Sequence, residues 1–502
     1  IYSYKYVDIG KVRKMSKEKK TSVFFNFVYS SMYQILLILL PLITTPYVSR
    51  ILKAEGVGIY SYSYSIASVF ALIGMLGVNN YGNRTIATYQ KDRKKRSEAF
   101  WNIYAVQMTA TTIVFAAYII YIVFMCQEKY RVILIANIIT ILCSFTDISW
   151  YFFGMEKFKL TVIRNMIIKL ITVACILLFV RKESDVLIYT LLVVGSVFIS
   201  NLILWPFLKK EVDYVRPTLK EMVMHVPQML LLFIPVLAIS IYNKMDKVML
   251  GMMSNISQNG LYENTERIIN LPMGFISAFG PVMLPRVTSM YSQGEGNKTE
   301  QYLELSMEFV IFLSAAMTFG IAGIAKEFSP IFFGNGYGGV EILIIAISPV
   351  LLIRSWANVI RTQYLIPLHY DRIYVISVCL GAIVNLIVNW ILIPKYAALG
   401  AVIGTIFAEM IVMLYQTAFV AKFLPIKKYF VNSIYYIISG GVMYLAIRLI
   451  SKKVKLNPMG LVIEILIGGC TFILLCVPYF YIKHRKMVDN ICRTILRVKK
   501  SS

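Results

Sequence analysis

Apolar stretches of about 20 residues recur from one end of the chain to the other, each long enough to cross a bilayer core of roughly 30 Å as a helix. Short polar and basic segments separate them, and no strand-like alternation competes. Fourteen spans are expected, at residues 23–45, 59–82, 100–125, 132–153, 162–180, 186–208, 226–250, 260–285, 306–327, 339–360, 373–393, 398–420, 431–450 and 459–482. In lipid, backbone polar groups must be satisfied within their own segment, so the pattern predicts an all-α membrane protein of about 14 transmembrane helices. The run from Val23 to Val48 is too long for a signal-peptide core and lacks a small-residue cleavage site, so it is read as the first membrane helix. Residues 1–14 carry no pattern, and Met15 followed by "SKEKK" is the more natural start; an upstream extension or an expression scar is expected before it.

The chain repeats itself. "GIYSYS" at Gly58 matches "GLYENT" at Gly260, an offset of 202, which Arg84/Arg286 and Tyr89/Tyr291 share. Ser149-Trp150 recurs as Ser355-Trp356 at an offset of 206, which needs only a small insertion. Six spans per repeat make both copies enter the membrane from the same side, as in parallel repeats related by an axis along the membrane normal. The expected organisation is a cytoplasmic segment 1–22, a first lobe 23–208, a linker 209–225, a second lobe 226–420, two further spans within 431–482 and a basic tail 483–502. The two six-helix lobes would surround a central cavity.

Substrate sites in such transporters lie between the repeats, which directs attention to polar stripes inside spans. In span 7, Gln228, Ser240, Asn243, Lys244, Asp246 and Lys247 fall within an arc of about 160°. Glu263, Glu266, Arg267 and Asn270 share a face of span 8, and Arg354, Asn358 and Arg361 share one of span 10. Asn137, Thr140, Ser144, Asp147 and Tyr151 run along span 4, Asn26, Ser30, Tyr33 and Gln34 along span 1, and span 11 carries Asn385 and Asn389. Glu409 in span 12 and Lys169 in span 5 are isolated charges. A charge at the centre of a membrane helix costs about 2.5–3.5 kcal/mol on insertion scales, so these faces are expected to line a wet cavity. The plainer alternatives are lysines snorkelling from the outer end of span 7 and a helix-stabilising Glu263–Arg267 pair at i, i+4. Arg354 has no acidic residue at i±3 or i±4 and lies well inside its span.

Composition narrows the function. The 502 residues are 58% hydrophobic, with a mean hydropathy of +0.68. The net charge of +25 is scattered over many loops, which makes it a topology signal and a poor nucleic-acid footprint. Most Lys and Arg fall in segments that are cytoplasmic if both termini are cytoplasmic, "YQKDRKKRSEAF" and "KHRKMVDNICRTILRVKK" above all. In the tail, Met487, Ile491, Ile495 and Val498 at helical spacing suggest a helix on the anionic inner leaflet, a frayed terminus being the alternative. Seven cysteines form no CxxC pair and three histidines are widely spaced, so neither a metal site nor a cofactor is expected. No G-x-x-x-x-G-K, no D-x-D and no sizeable soluble segment occurs, which points to a secondary transporter rather than an enzyme.

"GVGIYSYSYSIASVFALIGMLGVNNYGNRTIA" resembles the first repeat of bacterial polysaccharide-export flippases of the Wzx type, in the multidrug/oligosaccharidyl-lipid/polysaccharide exporter superfamily. "YNKMDKVMLG", "GLYENTERIINLPMGFISAFGPVMLPRVTSMY", "QYLIPL" and "GAIVNLIVNWILIPKYAALGAVIGTIFAE" look like that family's second repeat, and the similarity runs from about Phe24 through span 14. The resemblance implies a flippase that moves undecaprenyl-pyrophosphate-linked oligosaccharide to the outer leaflet of the bacterial cytoplasmic membrane, for capsule, O-antigen or a similar glycan. It also implies alternating access, partnership with membrane lipids and the polysaccharide polymerase machinery, and a coupling cation, H+ or Na+. On this basis Lys244, Lys247, Arg354, Arg267, Asn243 and Asn358 are expected to bind substrate, and Asp246, Glu263, Asp147 and Glu409 to balance charge or carry the cation. The alternatives are a flippase of another cell-wall precursor (teichoic acid or peptidoglycan), a multidrug or cation antiporter, and a membrane glycan polymerase or ligase.

Overall fold

The computed structural model describes residues 17–294 and 296–485; the tail face from Met487 to Val498 lies outside them. All regular structure among these residues is helical. The expected first six spans fall on α1 (Lys17–Met75), α2 (Val78–Thr88), α3 (Arg93–Phe124), α4 (Glu128–Ala136), α5 (Ile138–Thr146), α6 (Ser149–Gly154), α7 (Phe158–Phe179), α8 (Val186–Leu202) and α9 (Trp205–Leu208). The next six fall on α10 (Leu219–Met253), α11 (Ile256–Ser292), α12 (Gly296–Phe333), α13 (Val340–Ile347), α14 (Val350–Ile360), a π-helical turn (Arg361–Leu365), α15 (Asp371–Tyr396) and α16 (Ala398–Val420). The last two are α17 (Ile426–Ser451) and α18 (Pro458–Lys483), which pack on each other and on α12. Twelve of the described segments are long and apolar enough to cross a membrane.

Several expected spans are shaped differently from a plain helix, spans 1, 2 and 4 among them. The 59 residues of α1 would extend about 90 Å if straight, some three bilayer cores. Lys53, at φ 57° and ψ −179°, breaks it, so spans 1 and 2 are its two arms. Span 4 is three pieces, α4 to α6, because its polar residues satisfy local backbone. Asn137 Nδ2 donates to the Ile133 carbonyl at 2.9 Å, and Asp147 Oδ1 accepts from Ser149 N at 2.9 Å and Ser149 Oγ at 2.6 Å. Large apolar side chains are exposed along the helices, Ile113, Phe124, Leu231 and Leu474 among them, as lipid-facing positions require.

The repeat has a physical counterpart. Gly58 and Gly260, equivalent positions at the offset of 202, meet where α1 crosses α11. A Cβ on Gly260 would lie 1.9 Å from the Ala54 carbonyl oxygen and 3.0 Å from Gly58 N; one on Gly58 would lie 3.0 Å from Gly260 N. One turn on, Ser61 Oγ donates to Glu263 Oε2 at 2.9 Å across the same separation of 202 residues. Each position touches its own copy, which is what a two-fold pseudo-axis between α1 and α11 produces.

The segment before α10 is tied to the first half. Arg93 grips Asp213 with two hydrogen bonds of 2.7 and 2.8 Å. Lys157 Nζ pairs with Glu211 at 2.5 Å, and Arg96 Nη2 donates to the Glu211 carbonyl at 2.9 Å. The Arg93 bond holds the exposed Asp213 carboxyl below the usual carboxylate range.

Candidate functional site

The polar face of α10 is received by polar residues on α11, α14, α15 and α16. Asn243, Lys244, Asp246 and Lys247 follow one another around little more than one turn, so they point in different directions within that face.

Lys247, 7% exposed, turns toward α11 and places Nζ 2.6 Å from both Glu263 Oε2 and Glu266 Oε2. Glu263 also accepts from Arg267 Nε at 2.8 Å. The expected Glu263–Arg267 pair is therefore present, as one edge of a four-member charge network closed by Ser61 of the first repeat. Pairing and hydrogen bonding of this kind offset the desolvation cost of buried charges.

Asp246, 4% exposed, turns the other way and meets no cation among the described residues. Its carboxylate accepts from the Tyr262 hydroxyl, from Asn389 Nδ2 and, at 3.0 Å, from Thr405 Oγ1. Asn389 Nδ2 also reaches Asn385 Oδ1 at 3.1 Å, and the Ala401 carbonyl, 3.0 Å from Thr405 Oγ1, competes with Asp246 for that hydroxyl's single proton. The Asn389 Oδ1 is buried without a partner among the described residues. The Asp246 carboxylate is thus held by hydroxyl and amide donors rather than by an ion pair among the described residues, an arrangement that a proton on the carboxylate would rearrange.

Arg354, on α14, finds the acid that local spacing did not offer: its Nε pairs with Glu409 Oε1 of α16. Its Nη1 reaches Asn270 Oδ1 of α11 at 3.4 Å. A cavity of about 230 Å³ opens here, lined by Tyr242, Asn243, Arg354, Asn358, Arg361 and Glu409 among others. Tyr242, Asn243 and Arg354 also border a narrow extension reaching Asp246, Tyr262 and Thr405. Arg361 donates to Asn358 Oδ1 at 2.5 Å and lies over the Tyr374 ring, 5.4 Å from its centroid. Lys244 lies over the Tyr64 ring at 5.1 Å and has no carboxylate within ion-pair distance among the described residues.

The structure thus brings together Asn243, Lys244, Asp246, Lys247, Glu263, Arg267, Arg354, Asn358 and Glu409. Asp147 stands apart, at the α5–α6 break. Tyr262 and Thr405 join the site from outside the polar stripes read in the chain. Thr405 precedes Glu409 by four residues, one helical face, and Tyr262 lies inside the repeated "GLYENT"; both signals were present in the chain.

Residues 23–291 match the model of the polysaccharide biosynthesis protein family. A protein of Escherichia coli described as "Putative O-antigen transporter" is 22% identical over 405 residues, 80% of this chain and 97% of the relative. Among solved structures, the lipid II flippase MurJ in an inward closed conformation superposes with a TM-score of 0.73 at 14% identity, over 93% of this chain and all of that one. An inward-facing multidrug resistance transporter of the MATE family, in the MOP superfamily, gives a TM-score of 0.53 at 13% identity, over 77% of this chain and 96% of that one. These two likenesses are of fold.

Proposed function

The chain belongs to the polysaccharide biosynthesis protein family, and on that premise we propose that it is a Wzx-type flippase, which carries lipid-linked oligosaccharide across the membrane. It is a multi-pass transporter rather than an enzyme. The observation that carries this is the cavity among α10, α14, α15 and α16, enclosed by membrane-spanning helices yet lined by Arg354, Arg361 and Glu409, net positive. A pyrophosphate cannot cross hydrocarbon unaided. Guanidinium groups present planar forks of donors that match phosphate oxygens and replace its hydration.

The carrier is undecaprenyl pyrophosphate, and its tail remains in lipid while the head group passes between the halves. Arg361 and Lys244, which hold no carboxylate among the described residues, receive the anion first. Arg354 joins by exchanging Glu409 for phosphate, while Lys247 and Arg267 hold the α10–α11 charge network together. Asp246 is the coupling residue: with Asn385, Asn389 and Thr405 it takes H+ or Na+, and neutralising it changes how α10 packs on α15 and α16. The working membrane is the bacterial cytoplasmic one, with both termini cytoplasmic and the polymerase machinery receiving the product outside.

Reconstitution tests the proposal. Vesicles loaded with pyrophosphate-linked oligosaccharide lipid are probed with a lectin that reaches only the outer face. Transfer should require the protein, and Arg361→Gln should slow it at least tenfold at equal protein level. Transfer at the protein-free rate would refute the assignment.

A further inference from the structure

A second cavity, of about 410 Å³, lies wholly in the first half, among α1, α6, α7 and α8. It is lined by polar groups of Thr44, Asn165, Thr172, Ser196 and Ser200 and by two cations, Arg164 and Lys169; no carboxylate is among its described lining residues. Arg164 is fixed at one end, donating from Nη1 to the Ser200 carbonyl at 2.8 Å and from Nη2 to Asn165 Oδ1 at 2.8 Å.

Lys169 is the unexplained residue. It sits at the middle of α7, whose 22 residues span about 33 Å, so each end lies some 15 Å away. A four-carbon stem cannot snorkel that far. No ion pair of Lys169 occurs among the described residues, although every Arg and Lys of the α10–α11 network has one apart from Lys244. An ammonium at that depth requires an anion or water, and the cavity supplies room for a head group.

The cavity has an apolar neighbour. A groove of about 590 Å³ along α7 and α9, lined by Leu160, Ile163, Ile167, Ile203 and Phe207 and bordered by Lys157 and Lys159, shares Arg164 and Ile168 with it. A charged pocket joined to an apolar groove fits an amphiphile with an anionic head and a long hydrocarbon tail.

We propose that the α1–α7–α8 cavity is a second binding site for the isoprenyl diphosphate end of the substrate, with Lys169 contacting the diphosphate and the α7–α9 groove holding the first isoprene units. The choice of isoprenyl diphosphate rests on the flippase assignment above. This site is separate from the Arg354/Arg361 cavity, which the second half alone builds. The lipid therefore has a binding place in the first half besides the second-half cavity that receives its head group.

The test counts bound ligands. Native mass spectrometry of the full-length protein in phosphatidylcholine nanodiscs, titrated with geranylgeranyl diphosphate, should show two bound per chain. Lys169→Met should remove one, with at least a tenfold loss of affinity at that site, and Lys169→Arg should retain it within threefold. Arg361→Met should remove the other. Unfolding of Lys169→Met at or above the wild-type temperature excludes misfolding as the cause. Unchanged stoichiometry and affinity in Lys169→Met would overturn the second site, as would displacement of the diphosphate by an equal concentration of phosphatidylglycerol. Wild-type protein that binds no isoprenyl diphosphate would overturn the flippase assignment itself.

Discussion

Lys247 offers the sharpest test of how charges are kept inside this membrane protein. Its ammonium is 7% exposed and lies 2.6 Å from two carboxylates. In Lys247→Met, Glu263 keeps Arg267 at 2.8 Å and Ser61 at 2.9 Å, so it remains compensated. Glu266 loses the one ion-pair partner it has among the described residues. Breaking a buried pair by removing one partner costs about 3–5 kcal/mol, mostly the penalty of the charge left behind. Lys247→Met should therefore destabilise by about that amount. Adding Glu266→Gln removes the stranded charge and should restore more than half of the loss. Unfolding by SDS in mixed micelles, followed by tryptophan fluorescence, reads both differences. A single variant as stable as wild type, or a double variant less stable than the single, would show that Glu266 is solvated and that the network is not what holds Lys247.

Three further predictions follow from other contacts. Gly260→Ala should destabilise by at least about 1–3 kcal/mol, since its Cβ would sit 1.9 Å from the Ala54 carbonyl; wild-type stability would mean α1 and α11 do not meet at Gly58 and Gly260. Asp246→Asn should leave substrate binding within threefold but abolish the dependence of vesicle transport on a proton or sodium gradient; gradient-driven transport by the variant would remove Asp246 from coupling. Arg93 lowers the Asp213 carboxyl, so this clamp adds stability fully present above the unfolded value near pH 4 and lost as pH falls through the lower native value. The protection factors of the amides at residues 211–213 should accordingly fall only in strong acid, and Asp213→Asn should lower them at every pH; acid-insensitive protection in both would exclude the clamp.

How much of this was legible in the chain depends on the range of the interaction. Helical spans were readable because hydropathy over some 20 residues is a local signal. The repeat was readable because Gly58 and Gly260 each need a missing Cβ at a contact with the other. The face of α10 was readable from its 100° steps, but not the divergence within it. Whether Lys247 or Asp246 meets a cation depends on α11, α15 and α16, whose placement no local pattern encodes. Arg354 shows the same limit: nothing within four residues could reveal Glu409, 55 residues on. The breaks at Asn137 and Asp147 were hidden because polar residues spaced along a helical face look the same whether they line a cavity or cap the next turn.

The most direct measurement is the leaflet occupied by lipid-linked oligosaccharide in cells depleted of this protein. Lipids would be extracted after treating intact cells with a glycosidase or lectin confined to the outer face. Full-length repeat units should accumulate out of reach, on the inner leaflet. Single units accumulating within reach on the outer leaflet would contradict it, because translocation would then be intact and the missing step would be polymerisation or ligation.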